Sequence, residues 1–203
     1  MAVSIIVYQQ KVVPDYTFMI FGTNHMLEKI NISSVRVGDE SIKAVKKVRN
    51  IGAFFDPELK MGAHVTNASK SAWLNLFKIG KIRGYLTDDQ AKSVVHAYVM
   101  SKLDCYNALL AGITTAQKSQ LQRVQNAAAK LITKQKKHDH VTPLLHRLHW
   151  LPIEDRIIFK ILLLTFKSLN DKGPGYLKDL LTFYKPPFNL RSAADSLVLT
   201  VPR

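Results

Sequence analysis

Asp88-Asp89 is the only Asp-Asp pair in the 203 residues, and adjoining carboxylates are a simple way to hold divalent cations for phosphoryl chemistry. Their surroundings argue for another role. Thr87-Asp88-Asp89-Gln90 is a capping box: the Thr87 hydroxyl accepts from the Gln90 amide, and the Gln90 side chain reaches back. Acidic residues in a first helical turn also favour the helix dipole, so the pair reads as a helix start. His138-Asp139-His140, with His146 and His149 nearby, contains ligand-type side chains. It lacks the cysteine-histidine spacing of a structural zinc site and reads as a solvated basic loop. There is no glycine-rich phosphate loop, nucleophile elbow or Walker motif, and no serine-histidine arrangement singles out a triad. No catalytic residue, metal ligand or cofactor is expected from the residues themselves.

Positive charge is what stands out. Lys+Arg 29 against Asp+Glu 15 gives a formal +14, with an isoelectric point near 9.9, so a polyanion is the default partner. Lys78, Lys81 and Arg83 close one predicted helix; Arg123, Lys130, Lys134, Lys136 and Lys137 populate another and its exit. Such cations contact backbone phosphates, giving affinity without sequence specificity. The competing reading is a solvated charged face.

The elements that must position these residues are legible from period and punctuation. Residues up to about Phe55 are strand-like: Ser4 to Tyr8, Tyr16 to Phe21, a hairpin from Ile32 to Val45 turning at Gly38-Asp39, then a single strand from Val48 to Phe55 ended by Asp56-Pro57. From His64 the period becomes helical. Val65, Ala68, Ala72, Leu76 and Ile79 share one face of a helix ending near Gly84, with Lys70, Lys78 and Lys81 mainly opposite. The helix headed by Thr87 is expected to run to about Leu110, with Gly112 as a left-handed stop. A third begins near Thr115 with Leu121, Val124, Ala128, Leu131 and Ile132 on its apolar side.

Thr142-Pro143 then offers an N-cap followed by proline at the first helical position, and Leu151-Pro152 repeats the proline arrangement before a helix to about Leu169. His149, Trp150 and Leu151 between them form a bulky corner, read as two helices clamped by a buried indole. Gly173-Pro174-Gly175 breaks the chain before a short Tyr176 to Leu181 helix, and Lys185 to Arg203 with Pro186-Pro187 looks extended. The expected fold is α+β, a small N-terminal antiparallel β portion followed by a mainly helical bundle. Its parts are 1–58, 59–135, 136–185 with the Trp150 hinge, and an extended 186–203.

The lone Cys105 excludes an intramolecular disulfide and reads as a core residue of a reducing compartment. The N-terminus lacks the basic and long apolar regions of a signal peptide. The most apolar run, Ile157 to Leu169, is interrupted by Lys160 and Lys167 and is shorter than the ~20 residues that span a bilayer. A cytoplasmic or nuclear, non-membrane location is expected.

Residues 141–170 closely resemble a block downstream of the catalytic palm in non-LTR (LINE-type) retrotransposon reverse transcriptases. The residues that carry the likeness are Thr142, Pro143, Leu148 to Pro152, Arg156, Ile157, Phe159 to Leu162, Phe166, Lys167, Leu169 and Asn170. Similarity extends from about Tyr16 to Arg203 through Lys81-Ile82-Arg83, Leu103-Asp104, Asn107-Ala108-Leu109 and Leu121 to Ala128. Ile51-Gly52 stands where the family has a leucine-glycine pair on a strand near the primer grip. Departures are Asp15-Tyr16-Thr17, in place of lysine-threonine-glutamate, and Cys105-Tyr106, which inverts the usual order.

The resemblance implies the end of the palm, a helical thumb and a post-thumb segment, truncated at both ends. The parent activity it implies is RNA-directed DNA synthesis with magnesium, and the partners RNA, DNA or an RNA-DNA hybrid. The family's aromatic-x-Asp-Asp box is absent, because Tyr85 stands one position too far from Asp88-Asp89. A non-catalytic fragment is therefore expected; the alternatives are a basic helical protein-interaction module or a decayed element without selected function. Strands that pair with absent palm strands would leave an open sheet edge. Self-association through residues 1–55 is expected, and sedimentation giving a clean monomer at high concentration would refute it.

Overall fold

Short antiparallel strands lie on the N-terminal side and helices follow, an α+β arrangement. The computed structural model describes residues 4–9, 16–30, 32–136, 138–184 and 198–200. Strands β1 (Ser4–Gln9) and β2 (Tyr16–Phe21) pair antiparallel, Ser4 facing Phe21. Strands β3 (Ser34–Val37) and β4 (Glu40–Lys43) form the hairpin turned by Gly38-Asp39, with Gly38 at φ 63°. β4 is tied to β2 where the Val45 amide donates to the Phe18 carbonyl at 3.0 Å. Phe18 and Met19 are thereby buried within the chain. A short helix, α1 (Asn24–Lys29), follows β2 within the portion expected to be strand-like.

Val48 to Phe55 is not one strand but a second hairpin, β5 (Val48–Asn50) against β6 (Ala53–Phe55). Ile51 at φ 49° and Gly52 at φ 96° make its two-residue turn, both on the left-handed side as hairpin twist demands. A β-branched residue resists that conformation. The turn is held from outside, because the Tyr106 hydroxyl donates to the Ile51 carbonyl.

Helix α2 (Gly62–Ile82) buries the face its period marked, Val65, Ala68, Ala72, Leu76 and Ile79. Helix α3 (Asp88–Val95) starts on the Thr87–Gln90 capping box and continues through a π-helical turn, His96–Met100, into α4 (Ser101–Asp104). The helix stops six residues before Leu110. Cys105 is extended and Tyr106 left-handed (φ 58°), ahead of a 3-10 turn at Asn107–Leu110. Tertiary partners override the helical pattern here: Tyr106 reaches Ile51, and the Asp104 carboxylate takes a fork of two hydrogen bonds from Arg156, one of them 2.8 Å. Cys105 is consequently exposed rather than core.

Helix α5 (Thr115–Thr133) begins on a second capping box, Thr114 with Gln117. It runs alongside α2 in the same direction. Gly62 at the start of α2 lies by Gln117, and Arg83 just past its end donates to the carbonyls of Leu131 and Ile132. The core between them is Val65, Leu76, Val95, Val99, Leu121 and Val124.

The proline corners sit one residue away from the expected caps. In α6 (Thr142–Arg147) the cap is Val141, and Thr142 and Pro143 already belong to the first turn. In α7 (Ile153–Leu169) Pro152 is itself the cap. Proline and valine have no side chain that accepts from a helix-start amide, so α7 borrows one: Gln122 Oε1 accepts from the Ile153 amide at 2.9 Å. Fully buried Gln125 donates to the Leu151 carbonyl at 2.8 Å and accepts from Gln122 Nε2 at 2.9 Å.

The corner itself is a Schellman stop. Trp150 N–H donates to the Leu145 carbonyl (2.9 Å) and His149 N–H to that of His146 (3.0 Å), with His149 left-handed at φ 54°. Trp150 and Leu145 are both buried, while Leu151 is exposed. A short helix, α8 (Gly175–Asp179), follows. Tyr184 and Thr182 then pair with Val198 and Thr200. The rest of the expected extended tail, Pro186-Pro187 included, lies outside the described residues. Among those described, no helix is long and apolar enough to cross a membrane.

Gln125→Met should lower stability by about 1–3 kcal/mol, because the Leu151 carbonyl loses its buried donor. Gln125→Glu should cost more, placing a carboxylate against that carbonyl. Urea midpoints of the two variants check the order.

Candidate nucleic-acid interface

Lys78 and Lys81 lie in the last turns of α2 and are exposed. Arg123 is exposed on α5; Lys134, left-handed at φ 52°, ends that helix, and Lys136 follows in the loop. Because α2 and α5 run in parallel, their C-terminal cations gather at one end of the bundle. Cations near helix C-termini are also favoured by the dipole, which stabilises this arrangement without any ligand. Lys130 is half-buried and already engaged. Lys137 lies outside the described residues. Among the described residues, Lys78, Lys81, Arg123, Lys134 and Lys136 make no ion pair with a carboxylate.

Arg83 must be removed from the expected phosphate contacts. It is only 6% exposed, and its guanidinium is spent inside the protein. Nε donates to the Leu131 carbonyl at 3.0 Å, Nη1 to Leu86 at 2.7 Å and Nη2 to Ile132 at 2.7 Å, and Nη2 also pairs with Asp88. The planar fork supplies donors to the orphan carbonyls that end α5, a task for which lysine lacks the geometry. The hydrogen bond from Arg83 holds the Asp88 carboxyl below the ordinary aspartate range; desolvation opposes this, and the charges of Arg83, Lys134 and Arg147 reinforce it.

Asp88 and Asp89 thus occupy the first turn of α3, and Asp88 is the counterion of a buried arginine. Among the described residues no group of three or more His, Cys, Asp or Glu side chains is placed to hold a metal ion. Ile51-Gly52 forms an exposed hairpin tip rather than part of a continuous strand, with Ile51 80% exposed. Thr142, Pro143, His149, Trp150, Leu151 and Pro152 build the corner described above and present no cationic group at the ends of α2 and α5. A cleft of about 740 Å³ lies elsewhere, between α1, β2 and the start of α2, and its rim includes Asp56 and Glu58.

The sequence reading missed the aromatic residues of α2. Trp73 and Phe77 are exposed on the outward face, and the Lys81 ammonium lies 4.8 Å from the centre of the Phe77 ring. The signal was available, since the 3.6-residue period that buries Val65, Ala72 and Ile79 turns Lys70, Leu74, Phe77 and Lys81 outward. Comparison with protein-family models, with curated proteins and with solved structures returned no match.

Arg83→Ala should cost about 2–3 kcal/mol by leaving helix-end carbonyls without a donor, seen as a lower urea midpoint. The depressed Asp88 carboxyl contributes stability that is full above the unfolded aspartate value near 3.8 and lost as pH falls through the lower folded value. Asp88→Asn should therefore flatten the loss of stability below about pH 4 in acid titrations.

Proposed function

We propose that these residues correspond to the last palm strands, thumb and post-thumb segment of a LINE-type reverse transcriptase, acting as a non-catalytic grip on RNA, DNA or hybrid backbone. The observation that supports this reading is the set of exposed cations, Lys78, Lys81, Arg123, Lys134 and Lys136, carried by two parallel helices and their ends. Fixed helices hold charges at set spacings, and phosphate is the partner such spacing serves without reading bases. Polymerisation is assigned elsewhere, because the sole Asp-Asp pair is committed to starting α3 and to Arg83.

A second reading, a helical protein-interaction module, draws on α7. Ile158, Phe159, Leu162 and Phe166 all remain about half exposed along that helix. A helix that buries Ile153 and Ile157 on one side and leaves phenylalanines in water on another has a surface suited to a groove.

The two readings separate in a salt titration with a duplex or hybrid oligonucleotide. Phosphate gripping predicts log affinity falling linearly with log salt, and Lys81→Ala reducing that slope by about 1. Absence of binding at low salt would remove the grip and favour the protein-interaction module. Primer extension with magnesium should give no product; template-dependent synthesis would overturn the non-catalytic assignment.

A further inference from the structure

Phosphate gripping does not explain why large rings stand in water among the lysines of α2. Trp73 is 45% exposed, Phe77 64%, and Tyr85, just past the helix, 89%. Aromatic side chains gain most from burial, so a row left outside marks a surface with a partner. At about 100° per residue, Lys70, Trp73, Phe77 and Lys81 fall within roughly 80° of one another. That sector faces away from the buried Val65, Ala72 and Ile79, with Trp73 on its flank towards Leu76 and exposed Leu74 and Lys78 on the other.

We propose that the outward face of α2 is a stacking platform for single-stranded nucleic acid, with bases on Trp73 and Phe77 and neighbouring phosphates on Lys70, Lys78 and Lys81. The inference rests on the nucleic-acid reading above and deepens it by naming the strand state and the contact. Spacing supports it. Trp73 and Phe77 are four residues apart, about 6 Å along the helix, close to twice the 3.4 Å rise of one strand. Consecutive bases meet the two rings when the strand is opened to about twice its stacked rise. A duplex keeps its base faces stacked on each other, so only a single strand presents them to side chains. Cation and ring are offered together, as the Lys81 ammonium 4.8 Å from the Phe77 centroid shows.

An aromatic, lysine-bearing helix also suits a membrane interface, where the apolar residues form a separate stripe beneath a cationic face. Here Lys70 and Lys81 stand in line with the rings, and that register favours a polymer alternating flat groups with phosphates.

The test uses the full chain with a 12-nucleotide oligo-dT, an abasic phosphodiester of the same length, and anionic phosphatidylserine vesicles. Oligo-dT should bind at least tenfold tighter than the abasic strand and quench Trp73 emission, while buried Trp150 provides an unquenched background. Trp73→Ala and Phe77→Ala should each remove about tenfold of that preference, leave the abasic affinity unchanged, and be rescued at position 73 by Trp73→Phe. Equal affinity for the two strands overturns stacking yet leaves backbone gripping intact; loss of both overturns the underlying reading too. Binding to vesicles in preference to oligo-dT overturns the proposal in favour of a lipid surface.

Discussion

Buried helix ends must find hydrogen-bond partners, and in this chain that requirement falls on α5. A helix packed on several sides loses water from its terminal carbonyls and from the neighbouring backbone it covers, and each orphaned group would cost about 1–3 kcal/mol. Arg83 meets the requirement at one end, reaching from the close of α2 to Leu131 and Ile132 while its charge is balanced by Asp88 at the opening of α3. Gln122 and Gln125 meet it on another side, supplying an acceptor to the Ile153 amide and a donor to the Leu151 carbonyl. The apolar residues around them supply most of the burial energy, but hydrophobic contact is non-directional. These polar side chains specify which helix end sits against which.

The same requirement sorts the cations. Arg83, with several donors in a rigid fork, is drawn inward to the carbonyls; Lys78 and Lys81, earlier on the same helix, remain exposed. The basic surface is thus smaller than composition suggests and is carried mainly by lysine. Lysine is a mobile point charge suited to following a phosphate backbone rather than fixing one geometry upon it. On α2 the two roles divide by face. Val65 to Ile79 secure the helix to the core, and the opposite side is relieved of any structural duty.

Much of the architecture was legible where the signal is local. The capping box at Thr87–Gln90, the hairpin at Gly38-Asp39 and the apolar faces of α2 and α5 depend on residues within a turn or two of each other. What escaped depends on distant partners. Gly112 is left-handed as expected, but the chain also places non-glycine residues, among them Ile51, Tyr106, Lys134, His149 and Asp171, in that conformation. At Ile51 and Tyr106 the reason is a contact across 55 positions of sequence, invisible to any periodic pattern. Cys105 became exposed for the same reason, since the helix predicted to carry it inward ends one residue earlier. Arg83 was misjudged because a basic residue at a helix end looks the same in sequence whether it faces water or a carbonyl.

The corner at residues 141–170 gains a different meaning from these contacts. A Schellman stop built on histidine, where glycine would be strain-free, carries a conformational cost of about 1 kcal/mol. The geometry persists because Trp150 and Leu145 bury together and because Gln122 accepts from the first amide of α7. Neither half of the corner is autonomous. The residues on either side of Pro152 are held by α5, Leu151 through Gln125 and Ile153 through Gln122, and Arg123 of the same helix is exposed. Packing information and surface charge are thereby written on the two sides of one helix.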